Sequence, residues 1–303
     1  MDLKDETPLV SFCLTSRNAE RDIGRMLQSI MDLRWQNKEV VIVDESEDST
    51  PEIAALFAAR CGYIRLFRLE GKRGLGFARQ FALERARGPL VAFMDADAWI
   101  STPLWVERMR AHLGPPGVGG VFSGRLAHNR ASALARYWSA TFRKRAKRLY
   151  ARIGTGNVLL RRDAIEASRA RFDPRLKINE DFDFFIQINA AGFRFVYEPD
   201  AAIEQIQPDT LAEILSKRIG YAKWNLIRLR FNGGAASFFA RACLRCLLFP
   251  AAAALALLQA LCWCTETGDP AALWHVPVET LMSFLYPFLA ARYAFGPVPP
   301  EAR

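Results

Sequence analysis

Short apolar runs at residues 9–14, 39–43, 64–69 and 89–94 recur about every 25 residues, and helix-forming stretches lie between them. The intervening helices are expected at 19–33, from Pro51 onward, and at 74–87. This alternation leaves little choice of fold. Strands separated by helices pair in parallel, and a parallel sheet must be covered on both faces. The chain is therefore predicted to be α/β, with a doubly wound, mostly parallel sheet. In such sheets ligands sit beyond the carboxyl ends of the strands.

Polar residues gather at those ends. Thr15, Arg17 and Asn18 follow the first run, Asp44 the second, and Asp95 and Asp97 the fourth. Any one of them could simply end a strand or cap a helix. As a set at successive strand ends, they predict one crevice. Asp95-Ala96-Asp97 places two carboxylates one residue apart, within reach of one hard cation. Mg²⁺ or Mn²⁺ suits this spacing, because substrate phosphates can complete the shell. Glu180-Asp181 is a further acidic pair ahead of an apolar helix. One of its carboxylates could take a proton from an attacking hydroxyl, or the pair could only favour a helix N-terminus, and the spacing leaves both open. Gly74-Leu75-Gly76-Phe77-Ala78-Arg79 lacks the third glycine of a dinucleotide fingerprint and lies outside the first strand-turn-helix unit, which argues against hydride transfer.

Hydrophobic residues make up 51% of the chain, but they are unevenly spread. Residues 246–264 carry no charge and approach the length needed to cross a bilayer. Residues 273–295 are apolar too, interrupted by His275, Glu279 and Arg292. The division expected is a catalytic domain at 1–232 and a C-terminal helical, membrane-associated region at 233–303, forming a transmembrane or re-entrant hairpin. Arg228, Arg230, Arg241 and Arg245 precede this region, and the linker at 265–272 has no Lys or Arg, so the large domain is expected in the cytoplasm. Residues 1–8 are polar, which predicts no secretory signal. Residues 130–152 read as a basic helix with interleaved aromatics, suited either to an anionic membrane surface or to packing on the domain. The net charge of +9 calls for an anionic partner without choosing among lipid, nucleic acid and phosphorylated substrate. Cys243, Cys246, Cys262 and Cys264 lie among Leu, Ala, Phe and Trp, a setting that argues against zinc.

The order of motifs resembles a family 2 glycosyltransferase of the GT-A fold. The resemblance rests on residues 10–18, on Val41-Ile42-Val43-Asp44 with Ser46, Asp48 and Thr50, and on residues 74–79. It continues through Phe93-Met94-Asp95-Ala96-Asp97, Gly154-Thr155-Gly156-Asn157 with Arg161-Arg162, Phe172-Asp173 and Glu180-Asp181, and it covers roughly residues 8–225. It implies inverting transfer of a sugar from a nucleotide-diphosphate sugar, UDP- or GDP-linked, and together with the basic helix and the apolar tail it predicts a lipid-linked or membrane-proximal glycan acceptor, with no nucleic-acid partner. It also implies roles. Thr15, Arg17 and Asp44 would line the nucleobase and ribose pocket, with Arg79 near the nucleotide or its sugar. Asp95 would reach the ribose or the metal, and Asp97 the metal. Asp181 would be the base, with Glu180 beside it.

Two departures stand out. Glu204-Gln205 occupies the place where many relatives carry a histidine, and Gly220-Tyr221-Ala222-Lys223-Trp224 replaces the Q-x-x-R-W of processive synthases, which favours single-sugar transfer. A lipid phosphate acceptor is the alternative within enzymes. A catalytically silent membrane scaffold is the alternative outside them. A nucleotidyltransferase is disfavoured, because no glycine lies between Leu9 and Arg17.

Overall fold

The computed structural model describes residues 7–148, 154–231 and 235–297. Two compact units divide the chain, the first spanning Met1–His128, Phe142–Pro174 and Glu180–Ile206, the second Asn129–Thr141, Arg175–Asn179 and Gln207–Arg303.

The first unit opens with the expected alternation: β1 (Val10–Ser16), α1 (Ile23–Met31), β2 (Lys38–Asp44), α2 (Thr50–Arg60), β3 (Ile64–Arg68), α3 (Leu75–Arg85) and β4 (Leu90–Asp95). These four strands pair in parallel, in the order β3-β2-β1-β4. Every residue of β1 and β2 is buried, which is why apolar residues dominate both without alternating with polar ones. Val10, Phe12 and Leu14 face one core with Ile23, Met26, Leu27 and Ile30 of α1, a helical i, i+3, i+4, i+7 stripe. Cys13, Val91 and Phe93 face the opposite core, where Ala78 and Ala82 of α3 lie.

The next elements are β5 (Ala98–Ile100), α4 (Trp105–Arg110), β6 (Val118–Ala127), α5 (Ala133–Arg148), β7 (Asn157–Arg161), α6 (Arg162–Ser168), α7 (Glu180–Ala190) and β8 (Arg194–Gln205). They extend the sheet to eight strands, β3-β2-β1-β4-β7-β6-β8-β5. The sheet is mostly parallel, as expected, and its antiparallel pairings are confined to the second half. β7 runs antiparallel to β4 and β6, and β5 antiparallel to β8, so the second half of the sheet is mixed. The apolar signal of β6 is interrupted by Gly119 and Gly120, where a Cβ would come within 2.9 Å of Phe193 and 2.4 Å of Leu160.

This reversal sets the position of the site. Met94 of β4 pairs with Asn157 of β7, so the turn before β7 lies at the edge where β4 ends. β6 is antiparallel to β7 and parallel to β8, so both finish toward that same edge. One margin of the sheet thus collects the ends of β1, β2, β4, β6 and β8 and the start of β7.

The second unit is helical: α8 (Leu211–Phe231), α9 (Ala235–Leu247), α10 (Phe249–Thr267) and α11 (His275–Ala290), with a 3-10 turn at Pro270–Trp274. Its longest segment runs from Gln207, and α8 belongs to it, with Leu226 packed against Ala290, Phe238 and Phe239. The basic helix expected at 130–152 is α5, and 149–152 lie outside the described residues. Its aromatics Tyr137 and Trp138 are buried, against Trp263 and Tyr221 respectively, so these two side chains pack within the unit. The expected span at 246–264 is broken at Leu248 between α9 and α10. Among the described residues no helix is long and apolar enough to cross a membrane. α10 instead buries Ala256, Ala260 and Trp263 and exposes Leu255, Leu258 and Leu261.

Candidate active site

The loops after β1 and β2 are stitched together by short polar side chains. Ser16 and Asp44 are register partners, and the Ser16 hydroxyl donates to Asp44 Oδ1 at 2.7 Å. The Ser46 hydroxyl donates to the same oxygen at 2.6 Å, and the Ser46 N–H to Oδ2 at 3.1 Å. Asn18 adopts φ 52°, which lets its N–H reach Ser46 Oγ while its Oδ1 accepts the Glu47 N–H. Asp44 is therefore 1% exposed and saturated by the loops it holds. Thr15 is buried beside it, in register with Val43 and Asp95, whereas Arg17 is exposed. A cleft of about 490 Å³ opens at the ends of β2 and β3, lined by Ser46, Arg68, Glu70, Gly71 and Lys72 among others.

Gly74 has φ 91°, a conformation that favours glycine, and its N–H and that of Arg73 donate to the Glu45 carboxylate. That turn launches α3, which carries Arg79 under the sheet margin. Arg79 is 6% exposed and serves two carboxylates: Nη2 donates to Asp95 Oδ1 at 2.9 Å, and Nη1 to Glu180 Oε1. Asp95 Oδ2 accepts from Arg125 Nη2 at 3.0 Å, and Arg125 Nη1 reaches Gln205 Oε1 at 3.2 Å. The result is a ladder running Gln205, Arg125, Asp95, Arg79, Glu180 across the margin. Burial pushes the Asp95 carboxyl up, but Arg125 and Arg79 outweigh it and hold the group below the usual carboxylate range.

Glu180 and Asp181 open α7, where acidic side chains favour a helix N-terminus. Only Asp181 is left near the surface. Glu180 is 1% exposed, and its Oε2 has no hydrogen-bond partner among the described residues. Asp181 is half-buried; its Oδ2 accepts the Thr155 N–H at 3.3 Å. The Gly154-Thr155-Gly156 turn lies against both groups. A Cβ on Gly154 would be 3.2 Å from Asp181 Oδ2, and one on Gly156 would be 2.2 Å from Asp95 Oδ2. Asp97 is exposed in the turn from β4 to β5.

The structure thus brings Thr15, Asp44, Arg79, Asp95, Glu180 and Asp181 to one margin, with Asp97 two residues beyond Asp95. Arg125 was missed by sequence reasoning, because it lies inside a strand that no periodicity marked. Among the described residues no three His, Cys, Asp or Glu side chains are grouped to hold a metal by themselves. The donor chemistry fits a cation of another kind: one exposed carboxylate, Asp97, beside a crevice rimmed by Arg79 and Arg125, suits a hard ion that takes most of its ligands from phosphate oxygens.

Comparison with known proteins agrees with this arrangement. The sequence model described as "Glycosyl transferase family 2" matches residues 11–198. The succinoglycan biosynthesis protein ExoO of Rhizobium meliloti is 27% identical over 227 residues, covering 70% of this chain and 64% of that protein. A poly-beta-1,6-N-acetyl-D-glucosamine synthase of Staphylococcus aureus is 23% identical over 228 residues, covering 72% and 55%. The chain therefore matches less than two thirds of the length of these relatives. Among solved structures, the mannosyltransferase PcManGT from Pyrobaculum calidifontis, in complex with GDP-Man and Mn²⁺, superposes with TM-score 0.62 at 20% identity, covering 91% of this chain and 88% of that one. S. aureus TarS 1–349 in complex with UDP-GlcNAc gives 0.55 at 17% identity, covering 73% and 66%. The fold is that of GT-A enzymes, and with the family match spanning well over half its length, the chain belongs to glycosyl transferase family 2.

Proposed function

We propose that the chain transfers one sugar, with inversion, from a UDP- or GDP-linked donor to a hydroxyl of a lipid-linked or membrane-proximal glycan. The observation that carries this reading is the convergence of Asp44, Asp95 and Asp181 on one sheet margin, Asp44 held by Ser16 and Ser46, Asp95 by Arg79 and Arg125, and Asp181 by the Thr155 N–H. The nucleotide sugars carried by the two solved neighbours support the donor class, and the succinoglycan and poly-beta-1,6-N-acetyl-D-glucosamine named for the curated relatives support a glycan acceptor.

In this reading the cleft beside Ser46 and Arg68 takes the nucleobase. Asp44, in register with Arg68 and bonded to Ser46, adjoins the lining and acts chiefly by fixing the two loops, while Thr15 and Arg17 lie at the end of the neighbouring β1. Asp97, assisted by Asp95, would hold Mg²⁺ or Mn²⁺. The ion, when bound, supplies positive charge for the departing diphosphate. Asp181 takes the proton from the acceptor hydroxyl as its oxygen bonds to the anomeric carbon from the face opposite the leaving group. The bond from that carbon to phosphate oxygen breaks, and the nucleoside diphosphate leaves with the electron pair. Arg79 fixes Asp95 and Glu180 throughout.

The absence of Q-x-x-R-W in α8, where Trp224 is buried against Ile227, favours one transfer over polymerisation. A panel of UDP- and GDP-sugars, each with Mg²⁺, Mn²⁺ or chelator, tests the reading. Nucleotide release is expected with one donor, lost on chelation and in Asp97→Asn. Failure of every donor to bind in any metal would overturn it.

A further inference from the structure

We propose that Thr155 and Glu180 bind a hydroxyl of the donor sugar, reached when the Gly154–Gly156 turn shifts from its place against Asp181. The proposal rests on the donor class proposed above and assigns two contacts to the sugar rather than to the nucleotide. Its first support is a pair of unsatisfied polar atoms. Thr155 is 0% exposed and Glu180 1%, and neither Thr155 Oγ1 nor Glu180 Oε2 has a hydrogen-bond partner among the described residues. Folded proteins rarely leave such groups unpaired, because each has lost its water with nothing in exchange. Two of them at one site mark a place where a ligand supplies the missing bonds.

The second support is position. The Thr155 N–H donates to Asp181 Oδ2, and the next residue, Gly156, has its backbone against Asp95 Oδ2. Glu180 adjoins Asp181 in the chain, and its other oxygen, Oε1, accepts from Arg79, which also holds Asp95. Both residues therefore link the Asp95 end of the crevice, proposed for the diphosphate and its cation, to the Asp181 end, proposed for the acceptor hydroxyl. The donor's sugar ring must bridge those ends, since its anomeric carbon is bonded to phosphate on one side and attacked from the other.

Chemistry selects a hydroxyl. An ionised carboxylate only accepts hydrogen bonds, and a threonine hydroxyl both donates and accepts, so one sugar hydroxyl can donate to Glu180 Oε2 while accepting from Thr155. A phosphate would be repelled by the carboxylate. Access requires the turn to move, and its fastening is weak: the Thr155 N–H bond is 3.3 Å long, against about 2.9 Å for a typical one. That bond ends on an oxygen of the proposed base. Donor binding that shifts the turn therefore also releases Asp181 Oδ2 for the acceptor.

The test separates sugar from nucleotide. Each UDP- and GDP-sugar of the panel, beside UDP and GDP alone, is titrated by calorimetry with Mn²⁺ present into the wild type and into Thr155→Val, which keeps the shape and removes the hydroxyl. Nucleotide-sugar affinity should fall about tenfold or more, while nucleoside diphosphate affinity stays within about twofold of the wild type. The ligand-free melting temperature should hold or rise, because the lost hydroxyl had no partner among the described residues. Deoxy analogues of the sugar that binds locate the hydroxyl. One of them should bind the wild type about tenfold more weakly, yet bind Thr155→Val no worse than the parent sugar does. Equal losses for sugar and nucleotide, with a lower melting temperature, would make the hydroxyl structural and overturn the proposal. So would unchanged sugar affinity in Thr155→Val. If the wild type binds neither UDP, GDP nor any of their sugars, the donor reading itself fails, a result distinct from these two.

Discussion

Arg79 Nη2 lies 2.9 Å from Asp95 Oδ1, tying a helix on one face of the sheet to the last residue of β4. Because the same guanidinium also holds Glu180, 101 residues away, α3, β4 and α7 share one cation. Removing it leaves a carboxylate at Glu180 that is 2% exposed and has lost its partner. Arg79→Met should therefore destabilise the protein by on the order of 3 kcal/mol, the usual cost of stranding one half of a buried pair. Adding Glu180→Leu should recover much of that loss, since an apolar pair strands no charge. Urea midpoints for the two single variants and the double variant give the coupling, and additive losses would contradict a shared pair.

At the opposite end of β2, Glu39 is the corresponding anchor. Burial pushes its carboxyl up, but the Ser11 hydroxyl, the Arg87 N–H and side chain, and Arg65 hold it below the ordinary range. A carboxylate depressed in the folded state contributes stability above its unfolded pKa, and that contribution disappears as pH falls through the folded pKa. The wild type should lose stability as pH drops from 6 to about 3, and Glu39→Gln should start lower and fall less steeply. Melting temperatures across that range check the slope, and parallel curves for the two proteins would remove Glu39 from the account.

The legible part of the chain was the part built from regular repetition. β1 and β2 are buried on both faces, so their apolar runs stand out, and the polar residues that end them followed directly. β5 to β8 left weaker traces. β5 has three residues, β6 carries Gly119-Gly120 directly after its first residue, and antiparallel pairing is set by contacts far apart in sequence. Arg125 was invisible for the same reason: its partner Asp95 is 30 residues away and its other partner, Gln205, is 80 away. Glu180 was legible as a pair with Asp181, but its burial was not, because that depends on Arg79 at a separation of 101 residues. The apolar stretch at 246–264 reads as one continuous run, since hydropathy does not reveal that the chain turns at Leu248.

That stretch still carries a prediction. α10 turns Leu255, Leu258 and Leu261 outward at 54%, 61% and 48% exposure, while the charged residues Arg241 and Arg292 lie on the neighbouring helical segments. A helix that buries small residues and exposes leucines is inverted relative to a solvent-facing one. With a net charge of +9, the expected occupant of this face is an anionic lipid surface. The protein should co-sediment with phosphatidylglycerol-containing vesicles more strongly than with phosphatidylcholine alone. Leu258→Glu should reduce that binding about tenfold or more, through lost apolar burial and added charge repulsion. No vesicle binding, or a dimer by light scattering that Leu258→Glu dissolves, would assign the face to another partner.

The acidic helix start offers the sharpest separation of chemistry from scaffolding. Asp181 and Asp183 both lie in the first turn of α7, so both contribute to the helix terminus in the same way. Their surroundings differ. Asp181 Oδ2 accepts the Thr155 N–H and faces the glycine turn beside Asp95, whereas Asp183 Oδ2 accepts from Gln187 Nε2 at 3.1 Å on its own helix. If Asp181 takes the acceptor proton, Asp181→Asn should lower kcat by about 10²- to 10⁴-fold with little change in donor affinity. Asp183→Asn should cost no more than a fewfold in either quantity. Steady-state kinetics with the donor found by the panel, together with nucleotide binding by calorimetry, resolve the two. A transfer rate unaffected by Asp181→Asn points instead to an acceptor that arrives already ionised, as a lipid phosphate does, because only a hydroxyl needs its proton removed.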